Sequence, residues 1–278
     1  MNFAQKLSRI LQRVPEFKGK RRLCRGLISL TEVNDTKDLL LQTKSGLFSL
    51  PNIKESISFE LFVNGSYEKG LVDLLVKNIP KSGVFLDIGA NIGSISIPLA
   101  KRRTDIRIIA IEASPWIFSV LNKNVELNGI TNITLLNMAV YSESGLSLPM
   151  YAPHEYFGKG SLKPVYTNEA EEVTTITIRD ILNIHGSGWA DFIKVDVEGF
   201  EKSVFDGLEM PANSEKRPNI IFEYNASTEQ SAGFEAGDAQ KVLISKGFML
   251  QGLDDTFRPI GLSVKNVIVD GSANILAS

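Results

Sequence analysis

The sequence predicts an α/β fold built on a doubly wound, mainly parallel sheet, and three observations carry that prediction. Residues 84–93, VFLDIGANIG, run from an apolar strand through an acid into a glycine-punctuated turn. A second apolar strand, 107–111, also ends in an acid, Glu112. Further apolar strands recur at 133–140, 192–197 and 220–225, with helix-length segments between several of them.

The elements follow in chain order. Phe3, Leu7, Ile10, Leu11 and Val14 recur at helical spacing beneath basic residues, which predicts a short amphipathic helix. Lys44-Ser45-Gly46 between alternating runs predicts a hairpin, 39–43 with 47–50. A helix over 67–79 leads to a turn at 80–83 and the strand 84–88. Gly89 and Gly93 permit a tight turn, and the helix that opens at Ser94 aims its free amides at whatever occupies that turn. After strand 107–111, Ser114 is a good N-cap, Pro115 suits the first helical position, and Asn128-Gly129 stops the helix. Residues 149–172, rich in Gly, Pro and aromatics, are read as an irregular substrate lid. Strand 192–197 precedes a helix at 199–208, and strand 220–225 follows. A helix at 238–246, a strand at 248–253 and a last, antiparallel strand at 266–270 complete seven strands, the class I methyltransferase (Rossmann-like) architecture. Residues 1–66 are expected to form an N-terminal helix and hairpin appendage, and 67–278 the main domain.

The first loop reads Asp87-x-Gly89-x-Asn91-x-Gly93. A dinucleotide-binding turn wants Gly-x-Gly-x-x-Gly, so that pyrophosphate can lie against the backbone. Here the central glycine is missing, and a carboxylate at 87 repels phosphate but suits an ammonium group. S-adenosylmethionine, with an ammonium, a sulfonium and no phosphate, is the better match. Glu112 arrives where nucleotide folds place a carboxylate on ribose hydroxyls, and residues 137–139, Ala139 among them, are expected beside the adenine.

A second centre is DFIKVDVEGFE, 191–201, in which Asp196 and Glu198 emerge at the end of a buried strand. Acids there lie near a transferred methyl group. With Glu223 and Asn225 at the end of the next strand, Asp196 offers oxygen ligands for a hard cation such as Mg²⁺, or hydrogen bonds for a sugar hydroxyl. His154 in the lid and His185 in a glycine-rich turn are candidate general bases.

Composition bounds the partners. Of 278 residues, 43% are hydrophobic and 22% charged, and no apolar run reaches the roughly 20 residues of a membrane span. The net charge is −2, but residues 1–25 hold eight bases and one acid, +7, which leaves −9 on the rest. A basic amphipathic helix of this kind fits the inner face of an anionic membrane; the acidic body disfavours nucleic acid, and a cytoplasmic setting is expected. The single cysteine, Cys24, excludes an internal disulfide, and its place among arginines far from the loop argues against cysteine-dependent cytosine methylation.

These motifs resemble the FkbM family of S-adenosylmethionine-dependent methyltransferases. The resemblance rests on FLDIGANIG (85–93), IEASP (111–115), NVELNG (124–129), IKVDVEGFE (193–201) and Tyr67-Glu68. One departure is Thr177-Ile178-Arg179-Asp180, where the family more often has Thr-Leu-Asp-Asp. The resemblance implies O-methylation of a sugar or glycan hydroxyl, or of a secondary metabolite. It also implies cofactor contacts from Asp87, Gly89, Asn91 and Glu112, with Asp196 and Glu198 at the acceptor; Gly93, Ala139 and Glu68 are further candidate cofactor residues, and His154 a further candidate at the acceptor, on the reading of the residues themselves. A nicotinamide-dependent oxidoreductase and a non-catalytic binding protein are the alternatives.

Overall fold

The computed structural model describes residues 3–35, 37–209, 217–264 and 267–278. Two helices, α1 (Phe3–Leu11) and α2 (Lys20–Ser29), precede a hairpin of β1 (Lys37–Gln42) and β2 (Leu47–Asn52). Helices α3 (Ser56–Asn64) and α4 (Lys69–Asn78) then lead into the main sheet. The first winding comprises β3 (Val84–Ile88), α5 (Ser96–Arg102), β4 (Arg107–Ile111), α6 (Pro115–Leu127) and β5 (Ile133–Leu136). Next come three short strands, β6 (Ala139–Val140), β7 (Ser147–Met150) and β8 (Glu171–Ile176), followed by α7 (Ile178–Ile184). The second winding runs β9 (Phe192–Val195), α8 (Glu201–Asp206), β10 (Asn219–Asn225), α9 (Ala226–Ser231) and α10 (Asp238–Ser245). It ends in β11 (Leu250–Leu253), β12 (Pro259–Val264) and β13 (Ser272–Ala277).

Among the described residues the large sheet has eight strands in the order β12-β11-β13-β10-β9-β3-β4-β5. The five from β10 to β5 are parallel, and β13 inserts antiparallel between β10 and β11. That is the expected seven-stranded class I methyltransferase sheet, with β12 added antiparallel at its edge. All five residues of β3 are buried, as a parallel strand covered by helices on both faces requires, and this is why it reads as a continuous apolar run. The chain winds outward from β3 to β4 and β5, then returns to place β9 on the other side of β3. The C-terminal ends of β3 and β9 therefore flank the crevice where ligands bind in such sheets.

Local chemistry sets the element ends. Ser114 Oγ accepts from Ile117 N and Pro115 opens α6, while Asn128 caps its end. Asn124 and Asn128 then reach across to β2, accepting from Ser49 N (2.7 Å) and Leu47 N (3.0 Å), which fastens the hairpin onto α6.

Three expectations need correction. The strand expected over 133–140 ends at Leu136, because Asn137 turns its amide back to the carbonyls of Glu112 and Ala113. Ala139–Val140 instead pairs with β8, which also pairs with β7, in a separate three-stranded sheet at the base of the lid. The last strand is Ser272–Ala277; Asn266 lies outside the described residues and 267–270 form no strand. In α1 the buried face is Ala4, Ser8 and Leu11, fixed by a 2.7 Å bond from Ser8 Oγ to Phe62 O, so Phe3 and Ile10 face outward.

Candidate active site

A cavity of about 300 Å³ opens at the β3–β9 crevice. One wall is the first loop. Gly89 adopts φ 77° and lies so close to β9 that a Cβ there would sit 1.9 Å from Asp196 O. Asn91 also has positive φ, 50°. Gly89 N and Ala90 N donate to Ile111 O, which ties the loop to the end of β4.

Glu112 completes that tie. It is 7% exposed, lines the cavity and accepts from Asn91 N and Ser114 N, each at 2.9 Å. Burial pushes its pKa up to about 7, against the pull of those two amides. Each oxygen keeps a further lone pair for a ligand hydroxyl. Met138 and Ala139 continue the wall beyond Glu112.

The opposite wall is the turn after β9. Asp196, Val197 and Glu198 line the cavity, with Glu223 from β10 and Tyr67 ahead of α4. Glu198 and Gly199 both have positive φ, 51° and 101°, and a Cβ on Gly199 would strike Thr228 O at 2.3 Å. Glu201, 6% exposed, holds this turn by accepting from Val197 N (3.0 Å) and Gly199 N (3.1 Å). Burial first, then the Asp196 and Glu223 charges, push Glu198 up to about 8. Burial keeps the Tyr67 phenol well above its ordinary value, so it remains a donor.

Lys194 joins the two walls. Its ammonium is buried in β9, donates to Gly89 O (3.1 Å) and Asp196 Oδ2 (3.2 Å), and lies 3.6 Å from Asp87 Oδ1. Burial alone lowers its pKa, but Asp196, Asp87 and Glu68 raise it above the usual range, so the lysine stays charged. A lysine in the middle of an otherwise apolar strand was the available signal; Asp196 is two residues away, but Gly89 lies 105 residues away and is invisible to local pattern.

Asp87 is therefore not where the sequence reading put it. It is 1% exposed, lies outside the cavity lining, and accepts from Ser96 Oγ at 2.5 Å beneath the loop. Gly93 lies one turn further on, packed against Ile97 and Leu121. Glu68 also lies outside the lining; burial pushes it up to about 7, with Lys194 opposing.

Part of the 149–172 segment closes one side of the cavity. Met150, Ala152 and residues 157–162 line the cavity, and the Ser161 hydroxyl there is buried without a partner. Asn91 Nδ2 donates to Phe157 O (3.3 Å), and Phe157 packs edge-on against Trp116. His154 is not in the cavity: it is exposed and stacks on Trp116 with ring centres 4.3 Å apart, while Asn52 Nδ2 donates to its carbonyl. His185 lies by the N-terminal end of β4, away from the strand ends that line the cavity, its carbonyl accepting from Arg107.

The donor set does not fit Mg²⁺. Asn225 Oδ1 caps α9 through Ser227 N and Thr228 N, and Asp196 already faces the Lys194 ammonium. Among the described residues no group of three His, Cys, Asp or Glu is arranged to hold a metal ion. The cation at this site is Lys194.

A doubly wound sheet with an inserted antiparallel strand, and a glycine-loop cavity at its switch point, define a class I methyltransferase fold. The chain belongs to the FkbM methyltransferase family, S-adenosylmethionine-dependent enzymes: the family model for the methyltransferase FkbM domain matches residues 87–250. It is 23% identical over 247 residues to methyltransferase sdnD of Sordaria araneosa, covering 86% of this chain and 83% of that one. It is 24% identical over 227 residues to methyltransferase 1 of Beauveria bassiana (strain ARSEF 2860), covering 73% and 85%. Among solved structures it is similar to a precorrin-6y C5,15-methyltransferase from Geobacter metallireducens GS-15. There the TM-score is 0.43 and identity 15%, over 76% of this chain and 86% of that one.

Proposed function

We propose that the protein methylates a hydroxyl of a sugar, glycan or secondary metabolite, with S-adenosylmethionine as donor. The observation that carries this reading is the asymmetry of the cavity. One wall offers backbone and a buried Glu112, suited to a nucleoside; the other offers Asp196, Glu198, Glu223 and Tyr67, suited to hydroxyl groups. S-adenosylmethionine, when bound, supplies a methyl group on a positively charged sulfur.

On this reading Gly89, Asn91, Glu112 and Ala139 hold the nucleoside, and Asp87 acts through Lys194 and Ser96 to position the loop. Asp196 is anchored by Lys194 and orients the acceptor. Glu198 takes the hydroxyl proton: it lines the cavity and, among the described residues, makes no hydrogen bond that would fix its charge elsewhere. Collinear placement of oxygen, methyl and sulfur supplies much of the remaining rate. His154 has no role in the reaction.

The test is release of S-adenosylhomocysteine across a panel of nucleotide sugars, glycans and hydroxylated metabolites. With an accepted substrate, kcat/KM rises about tenfold per pH unit below 8, because the base must lose its proton, and levels off above it. Glu198→Gln flattens that profile and lowers kcat by at least about a hundredfold, with S-adenosylhomocysteine affinity little changed. An unaltered profile in Glu198→Gln removes Glu198 as the base.

A further inference from the structure

The first two helices carry a surface that the cavity does not use. Both lie on α3: Ser8 Oγ donates to Phe62 O, Lys20 Nζ donates to Asn64 Oδ1 at 2.7 Å, and the Arg25 guanidinium sits 4.2 Å over Phe59. With those faces turned inward, the remaining faces are open and apolar. Phe3 (62% exposed) and Ile10 (61%) stand on α1, and Leu23 (55%), Leu27 (47%) and Leu30 (85%) form an i, i+4, i+7 stripe along α2.

The charges beside these stripes are sorted. Lys20, Arg21 and Arg25 are engaged with α3 or its flanks, whereas Lys6, Arg9, Arg13, Lys18 and Arg22 are exposed to solvent. Solvent-exposed cations therefore edge exposed Phe, Ile and Leu, on a segment of charge +7 attached to a body of charge −9. An anionic surface attracts this end and repels the rest, which fixes one orientation of approach. At 9 and 10 residues the helices are too short to cross a bilayer, so they can only lie in its interface.

We propose that the outer face of α1 and α2 docks the protein on an anionic phospholipid bilayer. The inner face of α2 abuts the cavity wall: Arg25 Nη1 donates to Lys54 O, and the next residues, Glu55, Ser56 and Ile57, line the cavity.

Co-sedimentation of the full chain with vesicles tests this. The protein is expected to pellet with phosphatidylcholine vesicles containing phosphatidylglycerol, not with phosphatidylcholine alone, and to be released by salt. Neutralising Arg9→Gln, Arg13→Gln and Lys18→Gln together is expected to weaken binding by about a hundredfold, roughly fivefold per cation. Ile10→Ser with Leu27→Ser weakens it at unchanged charge, while circular dichroism stays that of the wild type. The proposal is overturned by no binding to anionic vesicles at low salt, by equal binding to both vesicle types, or by binding that survives both sets of substitutions. It is also overturned if light scattering finds a dimer that Ile10→Ser with Leu27→Ser dissolves while vesicle binding is absent.

Discussion

Lys194→Met is expected to destabilise the protein by about 3–5 kcal/mol, lowering its melting temperature by roughly 10 °C, as measured by calorimetry. The substitution leaves Asp87, 1% exposed, with only the Ser96 hydroxyl on Oδ2 and its Oδ1 without a partner, and releases Asp196 from its cation. A buried carboxylate without a counter-charge must either take up a proton or draw in water, and both cost stability. The effect also reaches function. Gly89 O loses its donor and the two walls of the cavity lose their link, so S-adenosylhomocysteine binding should weaken together with stability. Adding Asp87→Asn to Lys194→Met is expected to recover about half of the loss, because the orphaned charge is then removed. Simple additivity in that double variant would show that the lysine does not compensate Asp87.

Gly89→Ala is the second large effect, and its size comes from crowding. A left-handed conformation costs an alanine about 1–2 kcal/mol, and overpacking typically adds about 1–3 kcal/mol. Here the new methyl group would fall 1.9 Å from the Asp196 carbonyl oxygen, just past the end of the neighbouring strand β9, so the loop or that turn must move. Affinity for S-adenosylhomocysteine is expected to drop by at least about a hundredfold, because backbone on both sides of the cavity shifts. Gly129→Ala is the control. Gly129 also has positive φ, 61°, but a Cβ there meets nothing within 4 Å. It should therefore cost only about 1 kcal/mol and leave binding unchanged. Equal effects at the two positions would mean that close approach of β3 to β9 is not what selects glycine at 89.

How much of this was legible depended on whether the determinant was local. Helix α6 was readable end to end because Ser114, Pro115 and Asn128-Gly129 are punctuation within the chain. The strands β3, β4, β9 and β10 were readable because parallel strands buried on both faces are continuous apolar runs. Helix α3 was missed for the opposite reason: Ile57, Ser58, Phe59, Leu61, Phe62 and Val63 are all buried, so it has no polar face and no helical period to detect. Strands β7 and β8 overlap only the two ends of the segment read as irregular, 149–172, and were missed, since β8 opens with the exposed pair Glu171-Glu172.

The site divided in the same way. Gly89, Asn91 and Glu112, which line the cavity, are legible from spacing, and Asp196 and Glu198 from their position after an apolar strand, whereas Gly93, singled out by the same spacing, lies outside the lining. What spacing did not reveal was which carboxylates face the cavity. Asp87 and Glu201 were part of conspicuous motifs, yet both carboxylates are inward, one on Ser96 and Lys194, the other on the amides of Val197 and Gly199. His154 attracted attention as a titratable side chain in the lid, but Trp116 offers it an aromatic face outside the mouth.

The measurement that bears most directly on the account is isothermal titration of S-adenosylhomocysteine into the wild type, Glu112→Gln and His154→Ala. The expected result is one site on the wild type, affinity reduced by about tenfold or more in Glu112→Gln, wild-type affinity in His154→Ala, and no heat from NAD. Absence of binding to the wild type, or loss of binding in His154→Ala with Glu112→Gln unaffected, would contradict it.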